Sequence, residues 1–117
     1  MAKCERYFKG DFKHFLKIME DGILAKSVSA TCEDVSDYEN SGVSCAVRVY
    51  ERYSAMGGNR VSLNITLIGK GEDLFLSAIT SGGSQAMFFK LNTFGEEAFL
   101  DSVISIADTY IKKVNMN

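Results

Sequence analysis

Ser81-Gly82-Gly83-Ser84 is the string in this sequence best suited to holding a ligand. Consecutive N–H groups in a glycine-rich turn can converge on an anion. The string lacks the Lys-Ser/Thr of a phosphate loop and does not open a helix, so the plainer reading is a turn between strands. A second set sits on one strand. Arg48, Tyr50 and Arg52 alternate onto one face, expected beside Ser62, Asn64 and Thr66 of the next strand. Two guanidinium groups flanking a phenol would suit a carboxylate or a phosphate. A solvated polar face, partnered by the acidic run from Glu33 to Glu39, needs no ligand at all. Glu51 breaks the pattern, because alternation puts it on the apolar side between Val49 and Tyr53. Burial there would raise its pKa and make it an acid or base, whereas a bulge or the end of the strand would leave it in water.

The remaining reactive residues are few. His14 is the one histidine in the chain, beside Lys13 and Lys17 on the polar side of a helical pattern. No base is placed by sequence near a serine or cysteine, so a hydrolase triad has no support. Cys4, Cys32 and Cys45 form no C-x-x-C pair, and an odd count fits reduced thiols in a cytoplasmic protein better than a disulfide framework. Neither a metal centre nor a cofactor is expected. The acidic run lacks the alternating ligands and sixth-position glycine of a calcium loop. Thirteen basic against fifteen acidic residues give a net charge of −2, which leaves no basic footprint for nucleic acid. No apolar run approaches the length of a membrane span, and MAKCERYFKGDF does not read as a secretory leader.

Periodicity supplies the elements that must position these groups. The 117 residues suit one domain. Cys4 to Lys9 reads as a short strand. Asp11 caps a helix over 11–21, with Phe12, Phe15, Leu16 and Met19 on its apolar face and Gly22 as its stop. The period then changes to two. Ser27–Glu33, Val43–Tyr53, Arg60–Ile68, Leu74–Thr80 and Gln85–Leu91 alternate or run apolar, with turns at Gly57-Gly58-Asn59 and Gly69-Lys70-Gly71. By this alternation Val28, Ala30, Cys32, Cys45, Val47 and Val49 face inward. Pairing Val49 with Ile65 and Val47 with Leu67 keeps apolar residues opposed, with Tyr50 opposite Asn64 and Arg52 opposite Ser62. A two-residue slip would oppose Arg52 and Arg60. Thr93 and Glu96 read as a capping box for a last helix with a wide apolar stripe from Phe99 to Val114.

The fold expected is α+β: a curved antiparallel sheet of five or six strands with both helices on its apolar face. Gln85–Leu91 is apolar on both sides, so either both are covered within the chain or one meets a second subunit in a homodimer. The strings Glu51-Arg52-Tyr53-Ser54, Gly58-Asn59-Arg60-Val61-Ser62-Leu63-Asn64, Ser77 to Ala86 and Asn92 to Leu100 together resemble a family of small bacterial proteins defined only as a domain of unknown function. The resemblance implies a bacterial cytoplasmic protein and carries no activity or site with it. Element order is also similar to helix-grip folds, which hold a C-terminal helix against a curved sheet. The function expected is a non-catalytic module that binds a small molecule or another protein. The alternative is a small enzyme using Glu51, Arg48 and the Ser81–Ser84 turn.

Overall fold

Asp11 accepts a hydrogen bond from the His14 backbone N–H at 2.8 Å and so starts the first helix where its short carboxylate can satisfy an open donor. The computed structural model describes residues 1–53, 60–82 and 89–116. In chain order it comprises β1 (Ala2–Lys9), α1 (Phe12–Lys26), β2 (Thr31–Asn40), β3 (Val43–Tyr53), β4 (Arg60–Lys70), β5 (Asp73–Gly82) and α2 (Phe89–Asn115). The strands form one antiparallel sheet in the order β1-β5-β4-β3-β2. Helix α1 carries the chain from β1 at one edge to β2 at the other, and the meander returns strand by strand until β5 pairs with β1. Both helices lie on one face of the sheet, and the α+β architecture expected from the sequence is the one observed.

The core lies between that face and the helices. Phe15, Met19 and Ile23 of α1 and Phe99, Val103 and Ala107 of α2 bury against Leu63, Ile65 and Leu67 of β4, Leu76 and Ala78 of β5 and Cys4 of β1. Ser41 and Gly42, both at positive φ, make the tight β2–β3 turn. Gly71 at φ +60° opens the β4–β5 turn. Among the described residues no helix is long and apolar enough to cross a membrane.

Several expectations are corrected. Helix α1 runs to Lys26 rather than ending at Gly22, and a Cβ on Gly22 would come within 2.7 Å of Ile106 Cδ1, so the glycine serves helix–helix approach and not a cap. The acidic run is an edge strand. β2 covers Thr31–Asn40 with every residue exposed, Cys32 included, and Val28 stands in solvent before it. An edge strand with charges on both faces carries no apolar alternation for a sequence reading to find. Helix α2 begins at Phe89, so Thr93 and Glu96 lie inside it and form no N-terminal box. Instead the Glu96 carboxylate accepts from the Gly82 N–H. Phe89 to Leu91 belong to this helix and Gln85 to Phe88 lie outside the described residues; among the described residues the sheet has five strands.

The largest correction is the face of β3. Arg48 pairs with Ile65, Tyr50 with Leu63 and Arg52 with Val61, one residue away from the register expected. Ala46, Arg48 and Tyr50 therefore turn to the helices and are buried, while Cys45, Val47 and Val49 turn to the bare face of the sheet.

Candidate functional site

β3 lies at the rim of the helix layer, and this position makes arginine acceptable on its inner face. The apolar stem of Arg48 lies over the core edge and its head reaches the rim. Its Nε donates to Glu20 Oε2 of α1 at 2.7 Å, and its Nη1 donates to Asp37 Oδ1 of β2 at 2.9 Å and to the Val47 carbonyl at 2.9 Å. Burial pulls the guanidinium pKa down, and the bonds to Glu20 and Asp37 more than reverse it, so the net shift is upward. Arg48 is only 7% exposed and is a permanent cation.

Beside this clamp the first turns of α1 and the strands of the β2–β3 hairpin flank a groove of about 400 Å³. Phe12, Lys13 and Leu16 line it from α1, and Asp37 and Glu39 of β2 with Ser44 and Arg48 of β3 line it from the sheet. Glu39 accepts from Ser44 Oγ at 3.0 Å, which orients one of its oxygens. The volume falls within the range of small-molecule sites. The space between α2 and the sheet, by contrast, is filled by fully buried Phe99, Val103 and Ala107.

The residues singled out from the sequence do not gather at one place. Arg48, Tyr50 and Arg52 face the helices. Tyr50 is sealed in the core, and burial pushes its phenol up to about 12. Arg52 stacks over the Phe99 ring at 4.5 Å and donates to Ser27 Oγ at 3.2 Å, and burial pushes its pKa below the usual value. Glu51 and Asn64 lie on the opposite face, where Glu51 pairs with Arg60 at 2.8 Å. Ser81 lies on that same face opposite Ser62, while the Gly82 N–H is taken by Glu96. Gly83 and Ser84 lie outside the described residues. Sequence reasoning missed Glu20, and held Asp37 and Glu39 only as members of the acidic run expected beside the arginine face. The signal available was an arginine in a strand beside an acidic edge run, a pairing considered only as solvated charge. Cys4 is buried, which pushes its thiol up, and His14 is exposed. Among the described residues no cluster of metal-ligating side chains occurs.

Fold and groove together define a small α+β protein in which two helices cover one face of an open antiparallel sheet. The chain belongs to a family of unknown function, DUF6054, whose family model matches residues 1–111. No curated protein and no solved structure matches it.

Proposed function

We propose that the protein is a non-catalytic binding module whose groove beside α1 takes a small amphipathic cation. The observation that carries this is the groove itself, with Phe12 and Leu16 on one wall and two carboxylates on the other. Asp37 and Glu39 line it with Lys13 and Arg48, and Glu20, outside the lining, pairs with Arg48 from α1. Arg48 is already neutralised, so the surplus is negative, and an amine on an apolar body fits better than the carboxylate or phosphate that the arginines alone would suggest. The non-catalytic part is supported by the dispersal of the reactive residues. Arg48 stays protonated near neutral pH and so serves as neither acid nor base, and Glu51 is paired away on the other face.

Tyramine and 4-hydroxyphenylacetate carry the same ring with opposite charge, and thermal unfolding with each of them tests the reading. Tyramine should raise the midpoint and the acid should not, and Glu39→Lys should abolish the tyramine effect. A midpoint moved by neither compound, or raised only by the acid, contradicts it.

A further inference from the structure

The apolar alternation of β3 points away from this chain's own core. Val43, Cys45, Val47 and Val49 lie on the face that neither helix covers. A sheet face that only meets water has no need of a valine at every second position. The neighbouring strands agree along one row, beside the polar Ser62, Asn64 and Thr66 of β4. One register row crosses the whole sheet as Tyr7, Phe75, Ile68, Cys45 and Tyr38, with the Tyr7 and Phe75 rings 4.7 Å apart. Tyr7 is 80% exposed, Tyr38 63%, Ile79 39% and Ile68 37%.

We propose that this face packs on the same face of a second copy of the chain, about a two-fold axis parallel to the strands and over β4. Five strands at about 4.8 Å spacing and eight residues at about 3.3 Å rise give roughly 600 Å² of plan area, close to the ~800 Å² per partner of a standard stable interface once side-chain relief is added. Because β4 is the middle strand, this axis keeps each register row on itself and exchanges β1 with β2 and β5 with β3. Ile68 then meets Ile68 of the second copy, Tyr7 meets its Tyr38, Phe75 meets its Cys45 and Ile79 meets its Val49. Val49 lines a hollow of about 100 Å³ with Val47, Ser36 and Asp34, and the protruding Ile79 of the second copy enters it. Lys3, in the same row as Val49 at the β1 edge, meets Asp34 of the second copy at the β2 edge, and the symmetry makes this contact twice. The alternative axis, across the strands, sets Ile68 against Asn64 and Tyr7 against Lys3. The axis over β4 brings Lys70 near its own copy, but in the rim row beside Asp73, where water screens like charges. Sheets packed in this way stand about 10 Å apart.

Sedimentation equilibrium of the full chain tests the inference. The wild type should be a dimer at micromolar concentration. Ile68→Lys and Ile79→Asp, at sites half-exposed in the single chain, should keep the circular dichroism spectrum and raise the dissociation constant at least about tenfold. Lys3→Glu and Asp34→Lys should each weaken the dimer severalfold, and the double variant should restore it. A wild type that stays monomeric, or a dimer that survives both Ile68→Lys and Ile79→Asp, overturns it. A double charge variant that fails to restore the dimer overturns the axis.

Discussion

Nε of Arg48 on β3 lies 2.7 Å from Oε2 of Glu20 on α1, and the same guanidinium holds Asp37 of β2 at 2.9 Å. One side chain thereby ties the helix layer to the two strands at the edge of the sheet. Lysine cannot serve both carboxylates from one rigid fork. Arg48→Lys should destabilise the fold by about 1–3 kcal/mol in urea unfolding, discounted from the cost of a fully buried pair because Asp37 is largely exposed. Equal stability of wild type and Arg48→Lys would mean that the clamp does not hold the hairpin.

The backbone at Gly10 runs against the Tyr110 ring. A Cβ there would come within 2.6 Å of the Tyr110 hydroxyl and 2.7 Å of Cε2. That ring packs edge-on to Phe15 at 5.0 Å, and its hydroxyl accepts from the Asp11 N–H at 3.0 Å. Gly10→Ala should therefore destabilise by about 1–3 kcal/mol through overpacking at the start of α1. An unchanged urea midpoint would show that the ring moves freely.

The three thiols should separate by rate. Cys32 is exposed, Cys45 half-buried and Cys4 buried with its thiol pushed up, and the thiolate is the reacting species. Native labelling should modify Cys32 first, Cys45 more slowly and Cys4 only on unfolding. Cys4 reacting as fast as Cys32 contradicts the packing of β1 against the helices.

Much of this fold is legible in the sequence, and the exceptions share physical causes. β4 and α2 carry enough aliphatic residues at the right period for burial alone to define them. The face of β3 is misread because both of its residue sets are partly apolar. Arginine stems and Tyr50 can bury as well as valines, and the tie is broken by carboxylates from α1 and β2 that no local pattern reveals. The acidic run is not recognised as a strand because an edge strand under no helix has no side to keep dry. Of the candidate site, Arg48 was legible. Asp37 was legible only as one of the acidic run, and Glu20 not at all, because it comes from α1 and meets Arg48 only in the folded chain.

Alkaline pH gives a test of the core at Tyr50. Burial pushes its phenol up to about 12, against about 10 in an unfolded chain. Between these values the native state binds more protons than the unfolded state, so this contribution is complete below pH 10 and is lost as pH rises toward 12. The loss should reach about 2–3 kcal/mol, and Tyr50→Phe should remove that part of the slope. Identical slopes for the two proteins between pH 9 and pH 12 would place the Tyr50 hydroxyl in water.

Arginine-detected NMR during a tyramine titration observes the groove directly. The Arg48 Nε–H, held by Glu20 and shielded from water, should give a separate, slowly exchanging resonance. Tyramine should shift that resonance together with the Leu16 methyls and the Glu39 amide, leaving Ile68 and Ile79 on the opposite face unmoved. Shifts confined to Ile68 and Ile79, or none at Arg48 and Leu16 at saturating tyramine, would contradict the groove as the binding surface.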